Sequence, residues 1–332
     1  MEWKVTVDGD FQPGRGKACR EISLRKQFAW GDELWHIPAV YLCSGGLVID
    51  FCVEVSTERM RAFYEKVKPI EEQCIRLTED EELLLRSENP LKIGFRPEII
   101  LNGEVLRNKR SVSQAWISSD IAEDFRENQD GLLILEHYKL DISKAWMMRR
   151  CIFPWEEKRD VKLQTLEIRL VRDKTEIPGV HFHTPAVGDD VKFIHPFTGV
   201  GHSLAVREYE KQEMDENHFH NGDLEFPRHF AAMTYTIYPD LPDDTFMLRD
   251  CDSGDCPRPK HPDSRGRYAV SAGAIAWIHS NDGPMQVCYV NGEPVKPRVV
   301  CSSLHFEPLK APVEWRLVFR EKLMDDLEIT LI

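Results

Sequence analysis

A chain of 332 residues is longer than one hydrophobic core ordinarily serves, so two domains of about 150 residues each are expected. Hydrophobic residues at 42% and charged residues at 30% exclude long disordered stretches, and no run approaches the roughly 18 consecutive apolar residues of a membrane-spanning helix. The net charge of −13 repels phosphate backbones, which argues against nucleic acid and anionic membranes as partners.

Residues 1–11 lack the basic flank and apolar run of a secretory signal, so a cytoplasmic location is the expectation. Segments rich in β-branched and aromatic residues then predict strands over Glu21–Ala29, Ala39–Cys43 and Leu47–Val55. Met60, Phe63, Tyr64 and Val67 follow the spacing of one helical face, with Ser56 or Thr57 as cap and Pro69 as stop. Thr78 and Glu81 form a capping box ahead of Leu83, Leu84 and Leu85. Strands over Glu98–Leu101 and Ser111–Ile117 follow, and Asn102-Gly103 suits the positive φ angles of a type I′ turn. A third helix is predicted over Ser119–Glu127, then strands over Ala145–Phe153 and Val161–Val171. The boundary is expected at Arg172–Pro178, after the strand that closes the first domain, giving domains 1–172 and 173–332.

The second half is predicted as strands over Val191–His195, His202–Tyr209, Ala232–Tyr238, Phe246–Arg249, Ala274–His279, Met285–Val290, Val299–Phe306, Trp315–Phe319 and Leu327–Ile332. Asp- and Pro-rich loops separate some of them, at 239–244 and 251–267. Four short blocks recur in order between the halves. Ile22-Ser23-Leu24 is matched by His202-Ser203-Leu204, and the apolar 47–53 by 231–237. Asn102-Gly103-Glu104 is matched by Asn291-Gly292-Glu293, and 166–171 by 327–332. The expected fold is therefore mainly β: two tandem, duplicated domains, sandwich-like or barrel-like, with helical insertions in the first.

Nine cysteines, an odd number without framework spacing, read as reduced thiols, with Cys52, Cys151 and Cys288 in the cores. Histidine is concentrated instead: ten of twelve lie in the second half, seven of them between residues 181 and 229. In a strand, residues i and i+2 share a face, so His181 and His183 are placed to hold one divalent ion such as zinc. His195 and His202 lead the candidates for further ligands, with His218, His220 and His229 behind them and Asp189 and Asp190 as oxygen donors. Cys251, Cys256 and His261 form a second ligand-like cluster without the paired spacing of a zinc finger. The competing reading is that these histidines are surface residues without a ligand role.

No Gly-x-Ser-x-Gly, His-Glu-x-x-His or dinucleotide fingerprint occurs. Two expectations follow. The first is a non-catalytic binding or assembly protein with a protein or small-molecule partner, using the acidic second domain and its loop residues Asp240, Asp243 and Asp244. That domain carries 16 basic against 26 acidic side chains. The second is a metal-dependent hydrolase whose His181 and His183 hold an ion that activates water.

Overall fold

The computed structural model describes residues 3–12, 15–121, 129–215, 224–260, 288–290 and 293–332. Strand makes up 47% and helix 13% of the described residues, so the fold is mainly β, and all the sheet pairings described are antiparallel. Two compact units divide it: unit 1 is Met1–Thr175 with Lys322–Ile332, and unit 2 is Glu176–Glu321. Among the described residues no closed barrel is formed and no helix is long and apolar enough to cross a membrane.

In unit 1 the chain runs β1 (Arg20–Trp30), β2 (Glu33–Cys43), β3 (Gly46–Val55), α1 (Thr57–Glu72) and α2 (Glu79–Glu88). It continues through β4 (Phe95–Leu101), β5 (Glu104–Leu106), β6 (Arg110–Trp116), α3 (Gln129–Tyr138), β7 (Ala145–Pro154) and β8 (Leu166–Arg172). One sheet has the order β1-β2-β3-β7-β6. β8 shows the period-2 pattern of a strand with one solvated face, since Leu166, Ile168 and Leu170 are buried while Glu167 and Arg169 are exposed. Its apolar side chains share a core with Ile99 and Leu101 of β4 and with Trp35, Ile37, Leu47, Ile49 and Phe51 of the first sheet. β3 is instead apolar almost throughout because both its faces are covered. On the outer face Ile134 and Leu135 of α3 pack with Cys52, Trp146 and Met148, while Val5 packs with Tyr41, Val48 and Ile152.

Unit 2 begins with β9 (Thr175–His183), β10 (Asp190–Ile194), β11 (Gly201–Glu213), β12 (Leu224–Glu225) and β13 (His229–Tyr238). It continues with β14 (Phe246–Asp250), β15 (Arg258–Pro259), β16 (Cys288–Val290), β17 (Glu293–Val295), β18 (Arg298–Cys301) and β19 (Glu314–Glu321). A four-stranded sheet, β10-β11-β13-β18, supplies Leu204, Val206, Met233, Tyr235 and Ile237 to the core. A three-stranded sheet, β14-β19-β9, supplies Phe246, Leu248, Trp315, Leu317 and Phe319 to the same core.

Three sequence expectations need correction. The last strand, β20 (Leu327–Thr330), does not close the second domain; it pairs antiparallel with β8, so residues 322–332 belong to unit 1 and that unit's second sheet reads β20-β8-β4-β5. The two segments matched as repeats, 166–171 and 327–332, are thus neighbours in one sheet. Pro69 lies inside α1 rather than ending it, giving up one i→i−4 hydrogen bond in the last turn; Ser56 caps the other end and accepts from the Arg59 N–H. The cysteines are not all thiols: Cys19 and Cys43 form a disulfide. The β1–β2 register, with Arg20 opposite Leu42, brings them face to face, a pairing that cysteine spacing alone conceals. Among the described residues the third helix is α3, beginning at Gln129; residues 122–127 of the helix predicted over Ser119–Glu127 lie outside the described residues, as do Ala274–His279 and the turn Asn291-Gly292.

Candidate metal centre

β9, β19 and β14 lie side by side, and side chains on neighbouring strands of one face approach each other. Trp315, Leu317 and Phe319 of β19 turn into the core, so Glu314 and Arg316 turn the other way. β14 pairs with β19 so that Asp250 is opposite Trp315, and one residue further on the Cys251 N–H donates to the Glu314 carbonyl at 2.9 Å. His181 comes from β9, where Phe182 packs on the core and the two flanking histidines are exposed.

These three strands bring His181, Cys251 and Glu314 together. The His181 Nδ1 lies 3.3 Å from Glu314 Oε1 and 3.5 Å from Cys251 Sγ, and all three ligand atoms fall within 4.8 Å of one another. Zinc bonds of about 2.0–2.3 Å at tetrahedral angles separate ligand atoms by roughly 3.3–3.6 Å, so the two closest separations have the spacing a shared ion requires. His181 and Glu314 are exposed and Cys251 is partly so, which leaves the centre open to water.

The Cys251 arm is braced. Asp250 accepts from Ser303 N–H at 2.7 Å and from Ser303 Oγ at 3.2 Å. Burial pushes the Asp250 carboxyl up, while those hydrogen bonds pull the other way. Beyond Cys251, Ser303 Oγ donates to the Asp252 carbonyl and Phe306 N–H to the Asp255 carboxylate, so the turn is tied to residues 303–306. Gly254 lies in the left-handed region at φ 68°, and a Cβ there would come within 2.8 Å of the Leu304 carbonyl oxygen.

No protein-family model, curated protein or solved structure matches this chain.

Of the four histidines expected as ligands, His181 alone joins this group. His183 is exposed on β9 and is not among the three. His195 and His202 meet each other instead, with ring centroids 6.1 Å apart, and both are buried. The Thr198 N–H donates to His195 Nδ1, and His202 Nδ1 donates to the Pro239 carbonyl at 2.8 Å, so one nitrogen of each ring is committed to backbone. His202 stacks on Phe193 and His195 meets the edge of Phe319, the company of core residues. Burial, then the nearby His202, hold the His195 imidazole below its ordinary range, with Glu321 opposing. His229 is on β13, where its backbone bridges His305. His218, His220 and His261 lie outside the described residues.

Sequence reasoning missed Glu314, one carboxylate among many, and set Cys251 beside Cys256 and His261, the last of which lies outside the described residues. The available signal was the alternation Glu314, Trp315, Arg316, Leu317, in which an acid shares the outward face at the start of a core strand. The acidic loop is also occupied from within: Arg298 pairs with Asp240 at 2.9 Å and with Asp243 at 2.8 Å, and Lys296 pairs with Asp243. Hydrogen bonds from Lys296 and then Arg298 hold the Asp243 carboxyl below its usual range.

Proposed function

We propose that unit 2 is a divalent-metal centre, with zinc the best match, held by His181 Nδ1, Cys251 Sγ and a Glu314 carboxylate oxygen, and that it acts as a metal-dependent hydrolase. The observation that carries this reading is the convergence of three ligand atoms from three adjacent strands within 4.8 Å. Nitrogen, thiolate and carboxylate together suit zinc. Three protein ligands leave one tetrahedral position for water, the arrangement of catalytic rather than closed structural sites, and zinc lowers the pKa of that water toward 7. The chain's part is to fix the ligands on strands and on a braced turn. The non-catalytic binding reading has less behind it, because Asp240 and Asp243 of its acidic loop are engaged by Arg298 and Lys296.

We infer also that the two units descend from one module, along a correspondence different from the one the short sequence blocks suggest. What supports this is strand order: β1-β2-β3-β7 in unit 1 against β10-β11-β13-β18 in unit 2, and β4-β8-β20 against β14-β19-β9. The last strand of each three-strand set holds a different place in the chain: β9 is the first strand of unit 2, whereas β20 comes after all of unit 2 and returns to unit 1. On this correspondence Cys251 matches Asn102, since Asn102 N–H donates to Thr165 O just as Cys251 N–H donates to Glu314 O. Asn102 closes its corner structurally, its Oδ1 accepting from the Gln164 and Thr165 N–H groups and its amide donating to Lys162 O. The copy in unit 2 has a histidine, a thiol and a carboxylate where its counterpart has a turn-closing amide, the divergence expected where one copy acquires a metal.

Elemental analysis of the untagged chain tests the metal. One zinc per chain is expected, and it falls to background in Cys251→Ser and His181→Ala. Cobalt substitution should produce a thiolate-to-cobalt absorption that Cys251→Ser removes. Metal-free wild-type protein that takes up neither ion overturns the proposal.

A further inference from the structure

We propose that His195 and His202 form an acid-sensitive latch on the β10–β11 hairpin, closed while both rings are neutral and released when they take up protons. The loop between the two strands folds back on itself: the His195 N–H donates to the Val200 carbonyl at 2.8 Å, and the Gly199 N–H donates to the His195 carbonyl at 2.8 Å. The His195 ring closes the loop from inside, because its Nδ1 accepts from the Thr198 N–H at 3.3 Å. A ring nitrogen that accepts carries no proton, so the closed loop requires neutral His195 with its proton on Nε2.

His202 is fixed in the opposite sense. Its Nδ1 lies 2.8 Å from the Pro239 carbonyl, which can only accept, so in the neutral ring this nitrogen holds the proton and Nε2 has none. Both rings are buried, at 3% and 7% exposure, with centroids 6.1 Å apart. A proton added to His195 sets an N–H against the Thr198 N–H. A second proton, on His202, places two positive charges side by side in an apolar surround.

The groups around the pair set the direction of the response. β10 and the loop contribute Phe193 and Phe197, β19 contributes Phe319, and the segment after β13 contributes the Pro239 carbonyl, none of which supplies a countercharge. The ionisable groups acting on His195 are His202 of β11 and Glu321 at the end of β19. Burial, then His202, hold the His195 imidazole below its ordinary 6.5, and Glu321 opposes them. A released loop is hydrated and titrates at the ordinary value, so it binds the proton first as pH falls. The closed form therefore holds its full advantage above that value and loses it as pH drops toward the lowered one. Release takes Phe197 from the core to join Ile194 and Val200, both already exposed, so the acid form displays an apolar tip.

Amide hydrogen exchange on the full chain, corrected for the intrinsic pH dependence of exchange, tests the latch. Between about pH 7.5 and about pH 5 the His195 and Gly199 amides should lose protection several-fold, while those of Tyr235 and Ile237 on β13 keep theirs within about twofold. Asparagine offers an oxygen close to where histidine has Nδ1, so His195→Asn keeps an acceptor for Thr198 and cannot titrate; its loop should stay protected at the lower pH. His202→Asn serves as a second variant should His195→Asn not fold: it keeps a donor for Pro239, removes the second charge, and should lose less protection than wild type over the same range. Wild-type loop protection that is the same at both pH values, or either variant opening as wild type does, overturns the latch. Loss of β13 protection in step with the loop overturns it too, because unit 2 would then be unfolding as a whole.

Discussion

Ile329 lies directly opposite Ile168 in the antiparallel pairing of β20 with β8. Leu327, Ile329 and Leu331 all pack against the core of unit 1, so the end of the chain finishes a sheet begun more than 150 residues earlier. Three half-buried aliphatic side chains contribute about 1 kcal/mol each, less than the ~1.5–3 kcal/mol of full burial. A chain ending at Glu321 should therefore lose about 3 kcal/mol in unit 1 and keep unit 2. Hydrogen exchange reads this out: amides of β8 and β4 should lose protection while those of β11 and β13 retain it. The reverse pattern would show that the terminal strand serves the other unit.

Asp50 and Arg150 pair across β3 and β7 in the interior of unit 1, with Arg150 Nε at 2.8 Å and Nη2 at 2.7 Å from the two carboxylate oxygens. Tyr138 donates to the same carboxylate at 2.6 Å, and the rings of Trp3 and Phe11 lie over the guanidinium. Arg150→Met leaves a buried carboxylate without its countercharge, which costs about 3–5 kcal/mol. The double change Asp50→Leu/Arg150→Met should recover most of that loss, because it removes both desolvated charges together. Denaturant midpoints of the two variants measure the difference, and a double variant no more stable than the single would refute it.

The same residues show what a linear reading can and cannot reach. Alternation in 166–171 and the capping box at Thr78 and Glu81 depend on near neighbours, and both are visible before any folding is considered. The mainly β class is legible for that reason. The destination of 327–332 is not, since its alternating pattern fits the edge of either unit and long-range pairing decides which. Trp146 and Trp315 look equivalent in sequence, yet Trp146 lies on the outer face of its sheet near α3 and Trp315 inside the core of unit 2. The proposed metal centre is hidden for a related reason: His181, Cys251 and Glu314 are separated by 70 and 63 residues and meet only through strand order. His181 is legible because its i+2 partner draws attention to the strand, although the other two proposed ligands come from elsewhere.

His36 carries a pH dependence of unit 1. It faces Cys52 across β2 and β3, meets the Trp146 ring edge-on at 5.1 Å, and lies near the Glu54–Lys144 ion pair. Burial lowers its pKa below 6.5; Glu54 raises it and Lys144 lowers it, leaving a net depression. The unfolded chain therefore binds the proton first as pH falls, and stability drops from pH 6.5 down to the lowered folded value, below which this contribution is fully lost. His36→Phe should flatten the share of the midpoint's pH dependence between pH 8 and pH 5 that this residue supplies. An unchanged slope would assign the effect to other groups.

The Cys19–Cys43 disulfide should set the resistance of unit 1 to denaturant. Its two cysteines are 24 residues apart and close the β1–β2 hairpin, with the Cys19 N–H also held by the Val5 carbonyl at 2.9 Å. Closing a loop of that length restricts the unfolded chain by about 3 kcal/mol in the loop-entropy account. Reduction should lower the unfolding midpoint of unit 1 by a corresponding amount, and Cys19→Ser should produce the same loss and make the midpoint insensitive to reductant. Cys52 and Cys151 are buried thiols, so their slow reaction with an alkylating reagent in the folded chain separates them from the pair opened by reduction. A wild-type midpoint that does not respond to reductant, with Cys19 and Cys43 alkylated before any is added, would show that the bridge is absent.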